Sequence, residues 1–163
     1  MLIVGIDPGT NLCGWAIIDT VTKTCEDHGV IETPAKATRE EKFVEVLTNL
    51  DNILRDIKVL AMEEYDEYEV KVAIEDQYMG LNPKTMGVLK ELCGGIKWAC
   101  TKRRISTTSY PATTVKKTAT GSGKASKEQV VRSMQALYNL KHTPSEDEAD
   151  ALAIATTHMR LTE

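Results

Sequence analysis

Residues 2–19 read LIVGIDPGTNLCGWAIID, and this stretch decides the fold. An apolar run ends at Asp7, the residues PGT have turn chemistry, and apolar alternation then resumes as far as Asp19. A second turn, VTKT, leads into EDHGVIET at residues 26–33. Short apolar runs separated by tight turns are typical of antiparallel strands. We therefore predict that the chain opens with three antiparallel strands.

Helix-start signals and further strand-like runs alternate after this opening. The pattern in which Ser or Thr is followed three residues later by Glu or Gln marks the start of a helix; it occurs at Thr38–Glu41, Ser126–Gln129 and Ser145–Glu148. Asn82 followed by Pro83 predicts one more helix, to about Cys100. The segments VKVAIED, ending its strand at Glu75, and RRISTTSYP predict a fourth and a fifth strand.

These elements predict the fold class and the domain organisation. Strands first, then helices alternating with strands, indicate a mixed α/β fold with one five-stranded sheet flanked by helices. The first helix keeps apolar residues at helical spacing through Ile57, and EEYDEYE at residues 63–69 is expected to be an acidic loop. Since 163 residues are enough to bury one core, we expect a single domain over residues 1–163.

Composition limits the class of protein. No run of about 18 apolar residues is present, and MLIVGIDPGT lacks the order of a signal peptide, so a cytoplasmic protein that does not enter membranes is expected. The four cysteines show no paired spacing and are expected to be reduced and mostly buried. Cys25 with His28 is half of a possible zinc site, but no second half follows.

Charge is distributed unevenly. The net charge is −4, yet residues 97–132 contain nine Lys or Arg and a single acid, Glu128, which leaves −12 on the remainder. Such asymmetry separates a basic surface from an acidic one and is typical of a protein that binds nucleic acid on one face.

Four carboxylates form a candidate metal site. Asp7 and Glu75 end predicted strands and share an edge of the sheet if those strands are parallel neighbours. Asp147 and Asp150 lie three residues apart at the start of the last helix, on one face. Read singly, each is equally well a cap or a solvated residue. Together, at about 5 to 6 Å, each pair would repel by roughly 3 kcal/mol at an effective dielectric of 20, so either some are protonated or cations lie between them.

All-oxygen ligands favour Mg²⁺, with Mn²⁺ as a substitute, over zinc. Two such ions would neutralise the four carboxylates and suit phosphodiester hydrolysis, one activating water and the other stabilising the leaving oxygen.

Four blocks of sequence resemble the RuvC family of Holliday-junction resolvases, in the family's order and spacing and nearly end to end: GIDPGTNLCGWAII, AIEDQYMGLN, PATTVKKTATGSGKASKEQV and DEADALAIATTH. The resemblance implies an RNase H-like fold, a homodimer, and paired symmetric nicks in four-way DNA junctions that leave 5′-phosphate and 3′-hydroxyl ends. It also implies that the metal ligands are Asp7, Glu75, Asp147 and Asp150.

The resemblance further implies the DNA contacts and the dimer interface. Lys116 and Lys127 match basic residues that approach the cleaved strand, and Tyr78 matches an aromatic residue that stacks on a base at the junction centre. Lys117 and Lys124 lie in the same basic segment and are candidate phosphate contacts. The family's dimer helix corresponds to NPKTMGVLKELCGGIKWAC, residues 82–100.

The chain departs from the family's pattern in two places. Gly94-Gly95 replaces an Arg-Gly pair in the dimer helix, which leaves the dimer geometry open. Asp76 and Gln77, beside Tyr78, differ from common members, so the cleavage-sequence preference is open and a relaxed nuclease acting on forks, flaps or three-way junctions is an alternative.

Other functions are compatible with parts of the sequence. A junction-binding protein without catalysis would use the acids only as caps and surface charge. GIDPGT is also similar to the phosphate loop of actin-like ATPases, which need two such domains. TATGSGKAS fails as a P-loop at Thr118 and Ala125. His158 is expected to be a helix-end histidine outside the site.

Overall fold

One mixed sheet with helices on both faces forms the framework. The computed structural model describes residues 1–64, 68–76 and 82–163. The strands are β1 (Leu2–Asp7), β2 (Leu12–Asp19), β3 (Thr24–Glu32), β4 (Val70–Asp76) and β5 (Ser106–Pro111). The helices are α1 (Arg39–Glu64), α2 (Pro83–Lys102), α3 (Ala112–Thr120), α4 (Lys127–Leu137) and α5 (Glu146–Thr162).

The order of strands across the sheet is β3-β2-β1-β4-β5. β1 pairs with β2, and β2 with β3, in antiparallel fashion. β4 is parallel to β1, and β5 is parallel to β4. The predicted sheet of three antiparallel strands followed by parallel strands is therefore confirmed.

Alternation along β1 builds a core on each face of the sheet. Val4 and Ile6 face α1 and α2, whereas Ile3 packs with α3, α4 and α5. All three side chains are completely buried. The core therefore has two halves, and the half under α5 is the one that reaches the acidic residues.

The α5 helix lies directly on the sheet. Its inner residues are small, and Ala149, Ala151, Ala153 and Ala155 are all completely buried. A Cβ atom built on Gly5 of β1 would lie only 2.0 Å from the carbonyl oxygen of Ala151. Glycine in a strand often marks such a close approach of two backbones, and here it lets a helix and a strand pack without intervening side chains.

All three predicted capping boxes are present. Thr38 and Glu41 exchange hydrogen bonds of 2.7 and 3.2 Å at the start of α1. Ser126 caps α4 and Ser145 caps α5 in the same reciprocal way. The Asn82 side chain accepts from the Thr85 amide at the start of α2, as the Asn-Pro pair predicts.

The structure differs from the sequence-based predictions in one helix that was not predicted and in two element boundaries. Helix α3 was missed because it begins at Pro111 without a side-chain cap and buries only Val115. Helix α1 runs to Glu64 rather than about Ile57, because Ala61 is still buried in the core. It therefore takes the first part of the predicted acidic loop; residues 65–67 lie outside the described part. β5 begins at Ser106, since Arg103 forms the C-cap of α2.

The two glycines in α2 have different surroundings. A Cβ atom on Gly95 would lie 2.7 Å from Leu47 Cδ1, so this glycine lets α1 and α2 approach each other. Gly94 has nothing within 4 Å and faces outward. Among the described residues no helix is long and apolar enough to cross a membrane.

Candidate active site

Two strands bring Asp7 and Glu75 to the same edge of the sheet. In the parallel register of β1 and β4, Ile6 lies opposite Ile74, so the next residue on each strand is an acid. The predicted parallel pairing of these two strands is thus confirmed. Asp7 is only 8% exposed, whereas Glu75 is half-buried. This edge is formed by the carboxyl ends of parallel strands, where open α/β sheets place their ligand sites.

The start of α5 brings two more acids to this edge. Asp147 and Asp150, both half-buried, lie in the first two turns of the helix, whose start is fixed by the Ser145–Glu148 capping box. A Cβ atom built on Gly14 would lie 2.1 Å from the carbonyl oxygen of Asp147. Because Gly14 is paired with Asp7 across the β1–β2 ladder, this close approach holds Asp147 near Asp7.

An open cavity of about 330 Å³ lies between these elements. Its lining includes all four of the predicted carboxylates, two of the predicted lysines, and a few apolar residues: Asp7, Glu75, Asp147, Asp150, Lys116, Lys127, Leu12, Val115 and Val130 among others. Lys117 and Lys124 are exposed and do not line it. The fold therefore brings together six of the predicted site residues, from β1, β4, α3, α4 and α5.

The electrostatics of the cavity are dominated by the acids. Burial, followed by the charges of Asp150, Glu75 and Asp147, raises the pKa of Asp7 well above its usual range. Burial also raises the pKa of Asp150, although Lys127 opposes that rise. Desolvation and like charges both disfavour ionised carboxylates, and for Asp7 and Asp150 they outweigh the opposing charges of the nearby lysines.

The residues present fit divalent cations. Only oxygen ligands face the cavity from the acids, and their mutual repulsion is relieved by added positive charge. Among the described residues, no three His, Cys, Asp or Glu side chains stand as ligands around a single point. The four carboxylates nevertheless border one cavity, from β1, β4 and α5.

Lys127 makes a contact that the sequence analysis did not predict. Its Nζ atom lies 3.1 Å from Glu146 Oε2 and 3.9 Å from Asp150 Oδ2. The hydrogen bond to Glu146 is the main cause of the raised pKa of Lys127, so this side chain remains charged. The signal in the sequence is the i, i+4 spacing of Glu146 and Asp150, which puts both acids on one side of the helix.

Two other predicted positions lie elsewhere. Tyr78 falls outside the described residues, so its stacking role stays a prediction. His158 is buried in α5, with its Nδ1 atom 2.7 Å from the Tyr110 hydroxyl, and it does not line the cavity. All four cysteines are free, and Cys25 contacts the carbonyl oxygen of Asp27.

Comparison with known proteins gives a consistent result. The family model for crossover junction endodeoxyribonuclease RuvC matches residues 3–158. A crossover junction endodeoxyribonuclease RuvC from Fusobacterium nucleatum is 36% identical over 98% of this chain and 80% of its own length. The protein of the same name from Aliarcobacter butzleri is 34% identical, with 97% of each chain covered.

Solved structures show the same fold. The structure of Thermus thermophilus RuvC superposes with a TM-score of 0.79 and 24% identity, covering 97% of this chain and 93% of that one. The same protein in complex with a Holliday junction substrate also gives 0.79, at 23% identity and with coverage of 97% and 92%. The similarity confirms the RNase H-like fold class that the sequence predicted.

Proposed function

The chain belongs to the RuvC family of crossover junction endodeoxyribonucleases, and we propose that its acidic cavity is where phosphodiesters of four-way (Holliday) DNA junctions are hydrolysed. The observation that carries this proposal is the convergence of four carboxylates and two lysines on one cavity. Acids alone would repel a phosphate. Lysines alone would bind DNA, but DNA binding does not explain why the Asp7 carboxylate is buried at the same cavity.

Asp7, Glu75, Asp147 and Asp150 would hold two Mg²⁺ ions, for which Mn²⁺ would substitute. When bound, such ions supply an activated water and stabilise the leaving oxygen. Asp7 is the most buried of the four, so its side chain is the most restricted in position. Asp147 and Asp150 come from one rigid helix and keep their mutual spacing. The products would carry 5′-phosphate and 3′-hydroxyl ends.

Lys116 and Lys127 would orient the scissile phosphate, because they are the lysines that line the cavity. Lys117 and Lys124 are exposed on the same basic segment and would contact phosphates farther along the strand. Each such contact adds salt-dependent affinity without reading sequence. Tyr78 would stack on an unpaired base near the junction centre; this role rests on the sequence alone.

We also propose that the chain acts as one domain in a homodimer that pairs through α2. Trp98 on this helix is 66% exposed, with the Lys102 ammonium 4.7 Å from its ring centroid. A two-fold dimer would present two cavities to two symmetry-related strands, as paired nicking requires. We propose that it acts on branched DNA in the cytoplasm.

The proposal is tested with synthetic DNA substrates. Cutting rates are measured on four-way, three-way, flap and linear duplex DNA, with Mg²⁺ or with EDTA. We expect cutting of the four-way junction with Mg²⁺ only. Comparable rates on three-way junctions and flaps would indicate a relaxed branched-DNA nuclease instead, and binding without cutting in Mg²⁺ would indicate a junction-binding protein.

Substitution separates the roles of the two kinds of residue. Asn at Asp7, Glu75, Asp147 or Asp150 should abolish cutting while junction binding in EDTA remains. Gln at Lys117 or Lys124 should weaken binding and reduce its salt dependence by about one phosphate contact each. Full cutting activity in Asp7→Asn would overturn the assignment of the site.

A further inference from the structure

Lys127 is shared between an acid inside the cavity and an acid outside it. Asp150 lines the cavity and its side chain is 23% exposed, whereas Glu146 does not line the cavity and is 60% exposed. The nearer contact is to the outer acid, at 3.1 Å against 3.9 Å. The lysine therefore stands at the rim and is paired mainly with a residue that has no place in the metal site.

We propose that Glu146 is a positioning residue that holds the Lys127 ammonium at the rim of the cavity until a DNA phosphate displaces it. This inference rests on the proposed function, because it takes the phosphate of a junction strand as the ligand of Lys127. Glu146 itself would touch neither the metal nor the reacting atoms.

The chemistry of the contact supports an exchange rather than a permanent bond. Both partners are more than half exposed, at 59% and 60%, and exposed ion pairs contribute little to stability. A phosphate offers the same lysine a charge-assisted hydrogen bond of at least equal strength. Breaking the pair with Glu146 thus requires little free energy, but this free energy is subtracted from the affinity for DNA.

The exposed carboxylate opposes DNA in a second way. It adds a negative charge beside a cavity that already has four carboxylates, next to the lysine that would bind the phosphate. Removing this charge should strengthen DNA binding by both routes, through the released lysine and through the lost repulsion. The two routes are separable, because only the first depends on Lys127.

The test compares Glu146→Gln with a matched control just beyond the other end of α5. Glu163 lies at the other end of α5 and forms an exposed pair with Lys23, at 3.6 Å, so Glu163→Gln removes the same charge and the same kind of contact far from the cavity. Junction affinity is measured by fluorescence anisotropy in EDTA over a range of salt concentrations, with thermal melts as a check of folding.

We expect Glu146→Gln to bind a four-way junction roughly three- to tenfold more tightly at low salt, with the log–log salt slope little changed, since Lys127 neutralises the same phosphate in both complexes. Glu163→Gln should change affinity less than twofold. The change in log affinity caused by Glu146→Gln is also measured in Lys127→Met protein. There it should be less than half of the change that Glu146→Gln causes when Lys127 is present.

Each alternative outcome is decisive. Equal effects of Glu146→Gln and Glu163→Gln, or an undiminished effect in the Lys127→Met background, would show that Glu146 does not act through Lys127. A wild-type chain that neither prefers nor cuts junctions would overturn the proposed function and this inference with it. A chain that cuts normally but shows no Glu146 effect would remove the inference alone.

Discussion

The close approach of β2 and α5 at Gly14 gives a prediction of defined size. A Cβ atom at this position would lie 2.1 Å from the Asp147 carbonyl oxygen and 2.7 Å from its carbonyl carbon. Ordinary contact requires about 3.4 Å, so Gly14→Ala must displace the start of α5 by about 1 Å. Both atoms belong to the backbone, so no side chain can rotate away to relieve the clash.

This displacement should affect activity more than stability. Overpacking a core costs roughly 1 to 3 kcal/mol, which lowers the Tm of a domain this size by about 2 to 12 °C. A misplacement of about 1 Å of catalytic groups can reduce a rate about 100-fold. We therefore expect Gly14→Ala to fold, to melt somewhat earlier, and to cut four-way junctions about two orders of magnitude more slowly.

Gly29→Ala is the matched control. It is also a glycine-to-alanine change in a strand, but the atoms nearest to its Cβ atom, from 3.0 Å, belong to the Trp15 ring and not to α5. It should lower Tm by no more than Gly14→Ala does, because the Trp15 ring need shift by only a few tenths of an ångström, and it should retain the cutting rate, measured below both melting temperatures. Equal losses of rate in the two variants would mean that general destabilisation, not movement of Asp147, explains the effect; an unchanged rate and Tm in Gly14→Ala would refute the close contact itself.

Three further predictions follow from the site and its supports. The raised pKa of Asp7 means that its folded form binds a proton more tightly than its unfolded form, so metal-free protein should lose stability as pH rises from the unfolded pKa through the folded pKa. Asp7→Asn should remove this loss of stability, and Mg²⁺ should offset it in the wild type. Both effects are measured as Tm between pH 4 and 8. If Tm depended on pH identically in Asp7→Asn and in the metal-free wild type, the burial of the Asp7 charge would be contradicted. Ser145→Ala should cost about 1 kcal/mol in urea unfolding because it breaks the cap of α5, and no change would mean that the cap is redundant. Burial raises the pKa of Cys13 and of Cys100 to about 12, so iodoacetamide at pH 8 should modify them only in denaturant, as mass spectrometry of native protein would show.

Local sequence signals predicted most of the framework. The capping boxes at Thr38, Ser126 and Ser145 need only neighbours three residues away, and all three are present. The strands of the opening stretch also follow from short-range alternation and turns. Short-range signals did not predict α3. Its start has no side-chain cap, and its end is marked only by Gly121, with a φ of 84°.

The site was only partly predictable for a different reason. That Asp7 and Glu75 lie together follows from parallel pairing, which the order of strands suggested but could not fix. That Asp147 joins them depends on Gly14, and nothing near residue 147 in the sequence reveals this contact across the fold. The family resemblance supplied the grouping that local reasoning left open. The role of Glu146 belongs to this chain's own contacts, and the resemblance did not indicate it.

The position of α5 in chain order has a consequence for synthesis. Domains generally fold as units as they leave the ribosome, and among the elements that the structure describes this helix is the last to emerge. Until it emerges, Ile3, Ile18 and Ala73 are not buried by the α5 residues that pack on them, and Asp147 and Asp150 are absent from the cavity. Nascent chains and products of early termination would thus be inactive as nucleases and prone to aggregate.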